Sequence, residues 1–337
     1  MIRFFKFYFL ISKSIFRTLS CSRINNYAKG LADYVLCSIF NKKYIRTLPW
    51  FLSVEPADFC QLACHECPVG MARKSKGQLI DMDLYKSLVE QIQSEVMHLQ
   101  FFFQGEPLLH KALPEMIQLA RSKRIFTSLS TNAQALTSDM ARGLVQAGLD
   151  KITISLDGAT QSTYEKYRAQ AKLSRAVAGI HWLRYWKQKF ACSYPVIEIQ
   201  MVVFRTNEHE LRAMKQLATS LQVDRLVFKS AQIYNLGQAD SLVPKNKTYA
   251  RYRRMSDGNW VLKKPLRNRC YRLWSGGVVR ANGDVLPCCF DKKVEFKYGN
   301  VTDSDFRTIY TGAPAHAFRN SILQNRKQHE MCRNCNS

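Results

Sequence analysis

Residues 58–70 read DFCQLACHECPVG, and in them Cys60, Cys64 and Cys67 stand in a C-x3-C-x2-C arrangement. Three thiolates on one short loop suit a metal but leave a tetrahedral shell one ligand short. Zinc could complete its shell with His65, at the cost of asking two adjacent side chains to reach one ion. Thiolates also hold iron–sulfur clusters, and three of them on a four-iron cube leave one iron open to a small molecule. A second cysteine set lies far along the chain: Cys270, then Cys288 and Cys289 in GDVLPCC, then Cys332 and Cys335 in CRNC. Paired cysteines can make a zinc ribbon, though the gap from Cys270 to Cys288 fits one poorly. Cys21, Cys37 and Cys192 have no partner pattern and read as buried thiols.

Positioning such residues requires a framework. Strand-like apolar runs at 51–56, 97–103, 125–131, 151–157, 195–204 and 224–230 alternate with segments of helical periodicity. The helical segments include a long one from Thr160 to Gln188, and Thr137, Thr160 and Asn207 stand where helix caps belong. Six βα units in tandem predict a parallel sheet, either a partial barrel or a doubly wound layer. In both, ligands gather at the carboxyl ends of the strands. The triple cysteine follows the first run, QGEP (104–107) the second, STN (130–132) closes the third and SLDG (155–158) the fourth. From about 231 the alternation stops, and a region rich in Gly, Pro, Cys and basic residues follows. Three segments result: an N-terminal helical extension (1–50), a βα core (51–230) and a small cysteine-rich domain (231–337).

The order of these motifs over about 50–230 resembles the radical S-adenosylmethionine (radical SAM) enzymes. The resemblance implies an α/β fold, a partial (β/α)6 TIM-like barrel, with a [4Fe-4S] cluster on Cys60, Cys64 and Cys67 whose open iron chelates S-adenosyl-L-methionine (AdoMet). It implies that Gln104, Gly105, Glu106 and Pro107 stand for a GGEP-like segment meeting the AdoMet amino group. Ser130 and Asn132 match polar residues facing the ribose or amino-acid portion, Ser155 and Asp157 the end of the fourth strand, and Arg168 an arginine pairing with the carboxylate. A guanidinium fork is a natural carboxylate partner. Glu66 departs from the family, where an aromatic residue near adenine is common. The second cysteine set resembles the SPASM extension. A full extension carries two clusters; with Cys335 two residues from the end, the resemblance implies one auxiliary [4Fe-4S] cluster on Cys270, Cys288, Cys332 and Cys335, with Cys289 an alternative to Cys288. No catalytic residue is assigned beyond the cluster. The implied chemistry is reductive cleavage of AdoMet to a 5′-deoxyadenosyl radical that abstracts hydrogen from a substrate.

A peptide or protein side chain is the substrate expected first, although fifty N-terminal residues are few for a leader-binding domain; a small molecule oxidised or rearranged is the alternative. An electron donor such as flavodoxin or ferredoxin and a cytoplasmic location are implied. The chain has 337 residues with 46% hydrophobic content, and its formal charge of +24 favours anionic partners. Nine Lys or Arg oppose Asp33 alone in the first fifty residues, and ten oppose Asp257 alone in 245–272. The basic, aromatic N-terminus is too short in apolar run to span a bilayer. It reads either as a helix packed on the domain or as an amphipathic helix on an acidic membrane surface. Tyr249, Tyr252 and Trp260 among the basic residues raise a rival reading, a nucleic-acid binder with structural metal sites. Nucleic acid is not the expected partner.

Overall fold

The structure is a computed structural model that describes residues 2–40 and 46–335. Expectations for residues 1 and 41–45 of the N-terminal extension, and 336–337 of the C-terminal domain, lie outside the described residues. Eleven strands are described: β1 (Phe51–Val54), β2 (His98–Phe101), β3 (Phe126–Thr131), β4 (Lys151–Ser155), β5 (Val196–Val203), β6 (Arg225–Ser230), β7 (Tyr252–Arg254), β8 (Trp260–Leu262), β9 (Gly276–Val279), β10 (Asp284–Leu286) and β11 (Gly299–Asn300). The first six match the six apolar runs. The chain forms two compact units, and one of the points where it passes from one to the other falls inside β3.

The first unit comprises Met1–Ser12, Phe59–Lys76 and Leu129–Pro265. In it β4, β5 and β6 pair in parallel, with Ile154 opposite Ile199 and Met201 opposite Phe228. Ile152, Ile154, Ile199 and Met201 are fully buried, as strands covered on both faces require. Thr137 and Thr160 act as expected, accepting from the N–H of Met140 and of Thr163 to open the helices Ser138–Gln146 and Gln161–Tyr167. Asn207 does not cap. It is buried, accepts from the Phe204 N–H and donates to the carbonyls of Asp157 and Val202, each at 2.9 Å. The long helix expected from Thr160 is two helices, Gln161–Tyr167 and Leu173–Lys189. Between them Gln170 sits at φ 71°, and the Gln161 side chain receives the Leu173 N–H and donates to the Ala171 carbonyl, so local hydrogen bonds replace the helical ladder.

The second unit comprises Lys13–Asp58, Gly77–Ser128 and Leu266–Ser337. Its strand order is β11-β10-β9-β1-β2, with β1 parallel to both β2 and β9 and β10 antiparallel to β9. The sequence reading ended sheet formation near 230, yet β9 joins the edge of β1. Gly276 and Gly277 lead that strand, and a Cβ on Gly276 would lie 3.2 Å from the Phe51 ring. Their lack of side chains is also why no strand signal showed there. The buried Arg319 pins the C-terminal helix Ala313–Asn325 by donating to the carbonyls of Leu273 and Tyr310, both at 2.9 Å.

Arg23 in the helix Cys21–Phe40 donates to the carbonyls of Thr18, Gln93, Lys123 and Arg124 at 2.6–2.9 Å. Thr18, Gln93 and Lys123 each stand at the C-terminal end of a helix, where carbonyls lack intrahelical partners and a cation complements the dipole. Among the described residues, no helix is long and apolar enough to cross a membrane.

Candidate functional site

The cysteine loop of the first unit is held by the break between the two helices just described. With the helical ladder interrupted, the Tyr167 carbonyl accepts the N–H of His65 at 3.1 Å and the Ala169 carbonyl that of Ala63 at 3.3 Å. Gly70 closes the loop from behind: a Cβ there would lie 2.6 Å from both the nitrogen and the oxygen of Cys64. Cys60 Sγ receives two donors, the Leu62 N–H and Asn132 Nδ2, each at 3.4 Å. Gln61 Nε2 in turn donates to Asn132 Oδ1 at 3.3 Å. Such donors stabilise a thiolate, and Gln61 is a member of this shell that spacing did not single out. Cys60 and Cys67 are half-buried and Cys64 is buried. Burial pushes the Cys64 thiol up to about 11, with Arg168 pulling the other way.

Arg168, at the end of the helix Gln161–Tyr167, donates from Nε to Asp157 Oδ2 at 2.6 Å. The other Asp157 oxygen accepts the Val202 N–H, also at 2.6 Å, and Asp157 is fully buried. Burial opposes the charge on Arg168, but Asp157 and Cys64 raise its pKa above the ordinary arginine value, so it stays a cation. The resemblance implied that Arg168 pairs with the AdoMet carboxylate; in the structure Asp157, another residue of the same expected site, holds one corner of its fork. Ser130 lies near the end of β3 and Ser155 ends β4. Glu66, at φ 57°, accepts the Tyr234 N–H at 2.7 Å. That bond is what the non-aromatic residue before Cys67 supplies.

Gln104–Pro107 belongs to the second unit. Gln104 donates its N–H to Glu55 at 3.2 Å and its side-chain amide to the Lys292 carbonyl at 2.9 Å. Glu106 is buried and accepts the Leu108 N–H at 3.1 Å, capping a short turn at Pro107–Leu109. Glu55 is buried, and burial pushes its carboxyl up even though Arg280 lies 3.6 Å away. Neither Glu55 nor Lys292 carried a motif signal.

Cys270, Cys288, Cys332 and Cys335 are all buried in this unit, while Cys289 is half-exposed. Burial raises the thiols of Cys270 and Cys288, and that of Cys332 to about 11. After burial, Cys289 adds most to the rise at Cys288, with Cys270 and Cys335 behind it, so these thiols share one electrostatic neighbourhood. Two arginines answer it. Burial disfavours the charge of Arg326, yet Cys270, Cys335 and a bond to Cys332 raise its pKa; Arg272 is raised by Cys289 and Cys288 and donates to Cys289 Sγ at 3.4 Å. Cys289 packs beside Phe103, Val278 and Leu286. Of the remaining cysteines, Cys37 is buried as expected, but Cys21 is exposed and Cys192 half-buried, because their helix face and loop turn toward solvent.

Among the described residues, no three His, Cys, Asp or Glu side chains are arranged around one point to hold a single metal ion. A four-iron cube makes a different demand, one thiolate at each of its separate irons. Three cysteines on one loop, with two donors at Cys60 Sγ, and four buried cysteines beside two arginines carry the donor chemistry that such a cube takes.

Residues 54–218 match the radical SAM superfamily, and residues 270–336 match SPASM, an iron–sulfur cluster-binding domain. Together the two matches account for more than two thirds of the chain. The PqqA peptide cyclase of Methylocella silvestris is 24% identical over 324 residues, covering 85% of this chain and 80% of its own. The crystal structure of Streptococcus suis SuiB bound to precursor peptide SuiA aligns with a TM-score of 0.63 at 14% identity, over 92% of this chain and 75% of SuiB. BtrN in complex with AdoMet and 2-DOIA aligns with a TM-score of 0.52 at 20% identity, over 87% of this chain and 95% of BtrN. These likenesses show the fold: the parallel βα core is a partial TIM-like barrel with a small cysteine-rich C-terminal domain.

Proposed function

Because the chain belongs to the radical SAM superfamily and carries a SPASM iron–sulfur domain, we propose that Cys60, Cys64 and Cys67 hold the cluster that binds AdoMet and that the enzyme modifies a peptide. When bound, the reduced cluster and AdoMet supply a 5′-deoxyadenosyl radical that abstracts hydrogen from the substrate. The carrying observation is the three-cysteine loop, fixed from behind by Gly70 and supplied with two donors at Cys60.

The chain's own residues bind and aim. Arg168 spends Nε on Asp157, leaving the outer edge of its fork for the AdoMet carboxylate. Asp157 fixes that fork, and Asn207 and Val202 fix Asp157. Asn132 and Ser130 meet the ribose or amino-acid portion, Ser155 lines the same rim, and the Gln104–Pro107 turn meets the amino group. Cys270, Cys288, Cys332 and Cys335 close a second cluster, and Cys288 is preferred to Cys289 because it is buried like the other three. A small reduced protein such as flavodoxin or ferredoxin delivers the electron, in the cytoplasm. The division into 1–50, 51–230 and 231–337 remains the functional one proposed.

The peptide assignment is supported by the peptide cyclase relative, matched over 80% of its length, and by the peptide-bound SuiB. A small-molecule substrate is the second reading, favoured by BtrN bound to 2-DOIA. The nucleic-acid reading loses its stacking platform: Tyr252 is buried, with Trp260 packed into the same cluster as Phe204 and Ile233. Anaerobic reaction with AdoMet, reductant and a candidate precursor peptide, read by mass spectrometry, tests the proposal. A peptide mass change that depends on AdoMet supports it. Turnover of a small molecule with no peptide altered favours the second reading, and absence of 5′-deoxyadenosine rejects both.

A further inference from the structure

The helix Cys21–Phe40 is inverted. A helix on a domain surface ordinarily turns its apolar stripe inward and its polar face to water. Here the buried positions are Arg23, Asn26, Gly30, Asp33 and Cys37. Each polar one is satisfied by the protein: Arg23 by four carbonyls, Asn26 by exchanging bonds with the Leu48 backbone at 2.9 and 3.1 Å, and Asp33 by accepting the N–H and guanidinium of Arg46 at 3.0 and 3.1 Å. Polar burial at this cost holds the helix in one orientation. The opposite face carries Ile24, Leu31, Val35 and Ile39, spaced seven, four and four residues apart on one stripe and 43–63% exposed. Phe40 ends the helix and Phe16, from the preceding helix, stands 75% exposed. A run of large apolar side chains kept outward this way is an interaction surface.

Charge identifies the occupant. The exposed charges nearby in sequence are Lys13, Lys29 and Arg46, and the one acidic residue, Asp33, is buried and neutralised by Arg46. Ser38, just before Ile39, lines a hollow of about 710 Å³ whose other walls include Arg267, Asn268, Arg269, Asn325 and Lys327. An apolar stripe on a basic stretch of chain, beside a basic hollow, matches an acyl layer beneath anionic headgroups. A second copy would bring like charge against like charge. We propose that this helix lies flat on an anionic lipid surface, Ile24, Leu31, Val35 and Ile39 facing the acyl boundary and the basic hollow taking a headgroup phosphate.

The test is sedimentation of the full-length, iron-loaded protein with phosphatidylcholine vesicles containing phosphatidylglycerol, against phosphatidylcholine alone. The expected result is binding to the anionic vesicles only, weakened by salt and lowered more than tenfold by Leu31→Glu with Ile39→Glu. Should that double variant lose its melting transition, Lys29→Glu with Arg267→Glu carries the same test through charge alone and is expected to lower binding about tenfold or more. No binding, equal binding to both vesicles, or unchanged binding by a folded variant overturns the proposal. So does a concentration-dependent dimer in ultracentrifugation that the double variant abolishes, which would assign the stripe to a second copy.

Discussion

The two cysteine sets differ in almost every physical respect except the element they use. Cys60, Cys64 and Cys67 sit on one loop, two of them half-exposed; the donors to Cys60 are neutral, Asn132 and a backbone N–H, and a single cation, Arg168, acts on Cys64. Cys270, Cys288, Cys332 and Cys335 come from three separated stretches, are all buried, and are answered by two full cations, Arg272 and Arg326. Four buried thiolates would gather too much negative charge without such cations. Under the proposed function, three thiolates at a partly open loop would leave a position for AdoMet, with Arg168 as the proposed partner of its carboxylate. The difference teaches that ligand count and exposure together separate a cluster that binds substrate chemistry from one that is closed.

The largest effect that would break this contrast is expected from removing Cys60, Cys64 and Cys67 together by Ala. Iron should fall from about eight to about four per chain, with all 5′-deoxyadenosine formation lost; full iron retention in the variant would mean the loop holds no cluster. Next, Cys332→Ala with Cys335→Ala should abolish substrate conversion while the folded protein still binds AdoMet and makes some uncoupled 5′-deoxyadenosine. Product at the normal rate would show that the closed set has no part in turnover.

Gly70→Ala sharpens the contrast through packing alone. A methyl 2.6 Å from the Cys64 backbone must displace the loop, so iron should be lost from the open set and kept in the closed one, as spectra of the reconstituted variant would read. Arg168→Ala should leave both clusters in place and weaken AdoMet roughly ten- to a hundredfold, the worth of a charge-assisted bond; isothermal titration showing unchanged affinity would confine Arg168 to its partnership with Asp157. The smallest change is expected from Arg272→Ala. Loss of a cation beside Cys289 should lower the reduction potential of the C-terminal cluster only. A redox titration in which both potentials hold still would detach Arg272 from that cluster.

Much of this was legible in the residues themselves. The six core strands are short runs of Val, Ile, Leu and Phe bounded by helical segments, and the cysteine spacings point to thiolate-held metal, the radical SAM resemblance then choosing iron–sulfur clusters over zinc. Thr137 and Thr160 read as caps and are caps. These are local properties, set by side chains a few residues apart. What tertiary structure decided depends on partners far away in sequence. The periodicity of 160–188 favours one helix, but Gln161 bonds on both sides of Ala171–Leu173 and the freed carbonyls of Tyr167 and Ala169 are taken by the cysteine loop about a hundred residues earlier. That break delivers Arg168 to Asp157. The glycines of β9 show no strand propensity, yet they join β1, where a larger residue would meet Phe51. The stripe of Ile24, Leu31, Val35 and Ile39 would be read inward by any pattern rule, and it points outward because Arg23, Asn26 and Asp33 find their hydrogen-bond partners in the loops and helix ends beneath. Patterning reports which faces are apolar; which face is buried was decided by the polar groups that only the folded chain could satisfy.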